Sequence, residues 1–302
     1  MVTRGDLQGT GSPEGLVGKI VKAEPALRYP VPIERIAAEL GIKEIAELET
    51  AGFEGGLLMD DNKKNGVILV NKSARTGRRR FTIGHELGHF CIPTHRPIKV
   101  DKFLCSLGDM RTWTASEKDV YARMEIEANK FSALLLMPPP LLRSYLSKVR
   151  APDLRHVLSI HDDFEVSKDA AARAYAQSHD GIVAIAVVKD GKVLRVYRHF
   201  KFPRLAPLIE NKVPQGSSYW LGAKSQTEPT EIREVVAGQW LESEWGKRLP
   251  ELYEQVLFQQ MGFALIMLWP DIPEEDDDEN SDPDENLTSK QRLADRMGKR
   301  VG

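Results

Sequence analysis

Residues 81–90 read Phe-Thr-Ile-Gly-His-Glu-Leu-Gly-His-Phe. His85 and His89 are four apart, so on a helix both imidazoles leave one face about one turn from each other. Two neutral ring nitrogens placed like this can hold one zinc ion. Glu86 lies beside the first of them. A carboxylate there can take a proton from a water that the metal has acidified from a pKa of about 16 to roughly 7. Phe81, Leu87 and Phe90 supply an apolar frame, and Gly84 and Gly88 leave room for close backbone approach.

Two imidazoles need a third protein ligand, commonly His or Glu. Residues 120–137 read as a helix, strongly apolar after Asn129, ended by Pro138, Pro139 and Pro140 and capped by Ser116 with Asp119 three residues on. Its polar start carries Glu125 and Glu127, which project about 200° apart, so one of them can face the metal. Asn129 shares the Glu125 face, where an amide can hydrogen-bond a ligand histidine. That favours Glu125. Glu127 is assigned to an ion pair with a cation such as Arg123, and Tyr121, on the Glu125 face, to the core. His95, in the irregular stretch 92–117, is read as a solvent-facing loop residue, and that stretch as a lid or a mobile loop.

The elements that position these residues follow from periodicity. Apolar spacing over residues 16–21 and 31–40 predicts two helices, the second stopping at Gly41. Residues 56–60 and 66–71 are β-forming runs around a polar turn ending in Asn65-Gly66, a hairpin signal. One of these two strands is expected to be the sheet edge on which an extended peptide could lie. Arg78, Arg79 and Arg80 then lead into the histidine helix, read as a solvated turn, with an anchor for an acidic substrate as the sharper possibility.

Residues 141–149, 154–160 and 167–176 read as three further helices. The last pair has a helix-turn-helix flavour, with Ser167 as N-cap. Its Ala-rich second helix carries Lys168 and Arg173 against Asp169, too few cations for a DNA-reading helix, so a packing role is expected. After Gly181 the period changes to two. Runs at 182–188 and 192–198 flank Lys189-Asp190-Gly191, and strands are expected at 218–221, 231–236, 252–258 and 263–269. No catalytic constellation falls in this β-rich stretch, and His199 is read as a strand-end residue.

Composition bounds the rest. The chain has 302 residues, 41% of them hydrophobic and 28% charged, which fits about two globular domains. No apolar run is long enough to span a membrane, and residues 1–13 lack the apolar centre of a secretory signal. Cys91 and Cys105 are too few for a disulfide framework. A cytoplasmic location is expected. The net charge of −2 conceals ten acidic residues in 271–285 and five basic ones in 286–302. The remainder is only mildly basic, which disfavours direct DNA binding. The expected division is a flexible 1–13, a core of 14–180, a β-rich 181–270 and a disordered charged tail of 271–302.

The hairpin, the 81–89 motif and the run Glu125-Ile-Glu-Ala-Asn-Lys-Phe-Ser-Ala-Leu-Leu-Leu-Met-Pro138 together resemble the ImmA/IrrE family of metallopeptidases, over roughly residues 15–180. Ser132 stands where the family usually has Ala, with no functional consequence expected. The resemblance implies an α+β fold: a small thermolysin-like, zincin-type core of helices and a short β-sheet, followed here by the antiparallel β-rich segment. It implies one zinc ion per chain on His85, His89 and Glu125, with Glu86 as the base. It also implies regulatory or stress-response endopeptidase activity on a protein substrate, a helix-turn-helix repressor. A non-cleaving, antitoxin-like zinc protein that sequesters its partner is the alternative.

Overall fold

The computed structural model describes residues 1–49, 52–96, 102–105, 119–149, 151–221, 228–243 and 248–271. The chain opens with a 3-10 turn, Arg4–Leu7, and then α1 (Pro13–Ala23). Ser12 caps α1 by accepting from the Gly15 N–H at 3.2 Å, and Pro13 starts it. The expected loose terminus is docked instead. Val2 and Leu7 are buried, and the Val2 N–H donates to the Glu24 carboxylate at 2.8 Å.

Helix α2 (Ile33–Glu39) leads into β1 (Ile42–Leu48), β2 (Gly55–Met59) and β3 (Gly66–Asn71). Strands β2 and β3 form the expected antiparallel hairpin, with Leu57 opposite Ile68, and β1 joins β3 in parallel. The turn is longer than Asn-Gly alone suggests. Asp60 staples it by accepting from the N–H groups of Lys64 (2.6 Å) and Asn65 (3.2 Å). Gly66 opens β3, where a Cβ would lie 3.0 Å from Ile42 and 3.2 Å from the Phe90 ring, so its role is close approach rather than turn geometry.

A fourth strand, β4 (Lys102–Cys105), pairs with β2, giving the order β1-β3-β2-β4. This corrects two expectations. The stretch 92–117 holds a strand, and neither β2 nor β3 is an edge, because each has a neighbour on both sides. The edges of this sheet are β1 and β4.

Helix α3 (Thr76–Cys91) lies on β2 and β3 and against α4 (Val120–Leu136). Arg78, Arg79 and Arg80 belong to the first turns of α3, not to a solvated turn. Arg79 pairs with Glu34 at 2.7 Å, and buried Arg80 donates to the Val31 carbonyl at 2.7 Å. Both cations are therefore committed within the fold. Asp119 caps α4 through the Ala122 N–H at 2.9 Å, and Ser116 lies outside the described residues. After α4 come α5 (Pro139–Leu146), α6 (Leu154–Asp163) and α7 (Lys168–Ser178), the last capped by Ser167.

The second sheet is β6-β5-β9-β8-β7, built from β5 (Ala184–Lys189), β6 (Lys192–Arg198), β7 (Arg233–Val235), β8 (Glu251–Phe258) and β9 (Phe263–Asp271). Residues 218–220, expected as strand, form a 3-10 turn, with Tyr219 buried against Phe258. Period two has a clear use here. Ile185, Val187, Leu265 and Met267 face the core shared with α3, α4, α6 and α7, whereas Ala184, Ala186, Val188, Ile266 and Leu268 face a second core closed by Trp240 and Leu252. Residues 1–270 form one compact unit. Helix α7 packs between α6 and β5–β6, burying Ala171, Ala172, Tyr175 and Ala176. The charged tail expected at 271–302 lies, beyond Asp271, outside the described residues.

Candidate metal centre

Helix α3 divides its faces by sequence. Ile83, Leu87 and Phe90 are fully buried in the core against the first sheet, each worth roughly 1.5–3 kcal/mol of burial. They do not surround the histidines, because they project away from His85 and His89 around the helix. Only Phe81 keeps that expected role, its ring centroid 6.4 Å from that of His85. The histidine face turns toward α4. Gly84 and Gly88 bring the two helices together: a Cβ on Gly84 would lie 2.5 Å from Ser132 Oγ and 3.2 Å from Ser132 Cα, and one on Gly88 3.2 Å from Ala128 Cα. Ser132 clasps the contact by donating to the Phe81 carbonyl at 2.8 Å.

Across this contact His85 Nε2 and His89 Nε2 stand 3.1 Å apart. Glu125 closes the triangle, with Oε2 3.2 Å from His85 Nε2 and Oε1 3.4 Å from His89 Nε2. All three side chains are buried. Among the described residues these three form the cluster able to hold a metal ion. Glu127 points elsewhere, as the 200° separation requires.

The hydrogen bonds around the cluster fix where the ring protons sit. Asn129 Oδ1 lies 3.0 Å from His85 Nδ1, so that nitrogen donates and Nε2 keeps its lone pair. On the other histidine, His89 Nδ1 meets His95 Nδ1 at 3.0 Å, and His95 Nε2 donates to Glu127 Oε2 at 2.9 Å. His95 is completely buried, which corrects the solvent-facing reading, and Glu127 pairs with it rather than with Arg123. The sequence signal that could have found it is weak: a histidine six residues past His89, just beyond the helix end.

Two bare imidazole nitrogens and a carboxylate at these separations repel one another in a buried site unless a cation lies between them. Tetrahedral zinc with ligands at about 2.0–2.1 Å holds those ligands about 3.3 Å apart, which the observed triangle matches. Electrostatics keep His89 neutral and Glu125 ionised. Burial pushes the His89 pKa down to about 3, against the pull of Glu125. Burial alone would raise Glu125, but the imidazoles of His85 and His89 overcome it and keep the carboxyl ionised, well below its usual range. Burial also lowers His85, yet Glu125, Glu86 and Asn129 outweigh it and the net direction is upward. Glu86 is itself fully buried beside His85.

A cavity of ≈330 Å³ lies next to the centre, between α3, α4, α5, α7 and β6. Phe81 is its link to the metal triangle, and neither the histidines nor Glu125 line it. Arg78 and Arg173 reach its wall, so Arg173 of the expected recognition helix faces inward.

Residues 37–175 match the family profile of the IrrE N-terminal-like domain. Over 129 residues the chain is 30% identical to the radiation response metalloprotease IrrE of Deinococcus radiodurans, covering 43% of this chain and 36% of that protein. The chain thus matches about a third of that relative's length. A solved structure described as a Mycobacterium tuberculosis transcriptional regulator superposes with a TM-score of 0.48 at 11% identity, over 85% of this chain and 75% of the other. Among the described residues no helix is long and apolar enough to cross a membrane. The matched segment runs from α2 through α7 and contains both histidines, Glu86 and Glu125, so this part of the chain is similar to the IrrE N-terminal-like domain.

Proposed function

We propose that the chain is a cytoplasmic zinc endopeptidase of narrow specificity that cleaves a helix-turn-helix transcriptional repressor and so relieves repression. The observation that carries this reading is the buried triangle of His85 Nε2, His89 Nε2 and the Glu125 carboxylate, with sides of 3.1, 3.2 and 3.4 Å. His85, His89 and Glu125 are the residues that would hold the ion. When bound there, a divalent metal supplies Lewis acidity for a peptide carbonyl and for a water. Glu86 is the base: it takes the proton of the attacking water and returns it to the leaving amine. Asn129 orients His85 by accepting from its Nδ1–H. Residues 14–180 carry this chemistry, 181–270 serve as an accessory β-rich part, and the likeness to a metalloprotease supports a protein substrate.

The test is incubation of metal-loaded protein with a helix-turn-helix repressor encoded beside it, read by mass spectrometry for one specific cut. Metal analysis should find one zinc per chain. Glu86→Gln should keep the metal and lose the cut. If derepression in cells survives Glu86→Gln but not His85→Ala, the protein acts by sequestering its partner and the peptidase reading is wrong.

A further inference from the structure

We propose that His95 and Glu127 act as positioning residues for His89, a two-member bridge that fixes the ring proton of this ligand and so sets how strongly the chain binds its metal. This rests on the reading of His85, His89 and Glu125 as the ligand set.

The argument is one of donors and acceptors. An ionised carboxylate only accepts, so at 2.9 Å from Glu127 Oε2 the His95 Nε2 must carry the hydrogen. A neutral His95 then has a bare Nδ1. That bare nitrogen faces His89 Nδ1 at 3.0 Å, so His89 Nδ1 must carry the hydrogen between them. His89 Nε2 is thereby left with its lone pair, and it is this atom that lies 3.1 Å from His85 Nε2 and 3.4 Å from Glu125 Oε1. Each link forces the next.

The two ligand histidines are held by different devices. His85 has a single amide, Asn129, one turn from Glu125 on α4. His89 has an imidazole passing on the pull of a carboxylate, and that carboxylate also comes from α4. Glu125 and Glu127 therefore share the work although they face different ways: one addresses the metal point directly, the other reaches it through His95 and His89. His95 is fully buried while Glu127 is 45% exposed. The bridge thus runs from the protein surface to a buried ligand.

Loss of such an outer partner typically weakens metal affinity about 10–100-fold. The experiment measures the affinity of the full chain for Co(II) and Zn(II) by chelator competition, with the visible Co(II) bands and the melting temperature of the metal-free protein recorded in parallel. His95→Phe and Glu127→Gln should each weaken binding about 10–100-fold. His95→Asn should recover most of the loss, because its amide oxygen can accept from His89 Nδ1 as Asn129 does for His85. In the His95→Asn background Glu127→Gln should have no further effect.

Glu127 is on a half-exposed surface, so its variant keeps the test valid if His95→Phe does not fold. Unchanged affinity and unchanged Co(II) bands in Glu127→Gln would overturn the bridge. So would equal losses in His95→Phe and His95→Asn, which would mark His95 as packing alone. If the wild-type chain binds no metal, the ligand set and the bridge fall together. If it binds metal but cuts nothing, only the peptidase reading falls.

Discussion

The ammonium of Lys63 donates to the backbone carbonyl of His89 at 2.8 Å, and equally to that of Ile92. The β2–β3 turn therefore grips the C-terminal end of the histidine helix, where carbonyls lack helical partners and the helix dipole favours a cation. Lys63 is 5% exposed, and burial brings its pKa down to about 8. Hydrogen bonds involving a charged group contribute about 1.5–3 kcal/mol. Lys63→Met should lower the unfolding free energy by about that amount in urea titrations. Stability equal to wild type would mean that α3 holds its end without the turn.

Close approach of α3 and α4 at Gly84 leads to a second prediction. A methyl group there would press on Ser132 Oγ and on its backbone, so Gly84→Ala must push the helices apart. The expected cost is about 1–3 kcal/mol of stability, with weaker metal binding because His85 and Glu125 separate. Ser132→Ala in the same chain should relieve part of the strain and lose the bond to Phe81. Calorimetry of the single and double variants checks this, and an additive double variant would contradict it.

Metal removal offers a third. A buried pair of bare imidazole nitrogens beside a carboxylate costs folding energy that a bound cation relieves. Chelator-stripped protein should melt at lower temperature than metal-loaded protein, by the equivalent of about 2.7 kcal/mol when free metal is 100 times its dissociation constant. His85→Ala and Glu125→Ala should abolish that difference. Identical melting with and without metal, in protein verified by elemental analysis, would argue against the centre.

Acid stability supplies a fourth. Glu24 accepts from Arg35 at 2.8 Å and from the Val2 N–H at 2.8 Å, and these bonds, Arg35 foremost, outweigh burial and hold its carboxyl at about 2 against an ordinary 4.5. A carboxyl depressed in the folded state stabilises above its unfolded pKa, and that contribution fades as pH falls from about 4.5 to about 2. Glu24→Gln should therefore be less stable than wild type at pH 7, by about 1–2 kcal/mol, and the gap should narrow at pH 3. Urea midpoints at the two pH values decide it. A constant gap would show that packing, not charge, sets the effect.

Much of the chemistry was written locally. The i,i+4 spacings of His85 with His89 and of Glu125 with Asn129 are properties of any helix, and both helices exist because their apolar spacing and caps demand them. The hairpin and the alternation after Gly181 were legible for the same reason, since period two places successive residues on opposite faces. Other features depend on long-range neighbours that no window of sequence contains. Neither β2 nor β3 is an edge, because β4 arrives from a segment with no strand pattern strong enough to read. Arg79 and Arg80 are internal ties, because Glu34 and the Val31 carbonyl happen to lie beside them.

The sequence by itself determined that His85 and His89 share one helix face with Glu86 adjacent to the first, because helical geometry alone places them so. Only the tertiary structure set the Glu125 carboxylate against both Nε2 atoms, turned Glu127 to His95, and brought His95 out of an irregular stretch into contact with His89. A helix dictates which residues share a face, whereas the packing of α3 on α4, at the distance that Gly84 and Gly88 permit, dictates what that face meets.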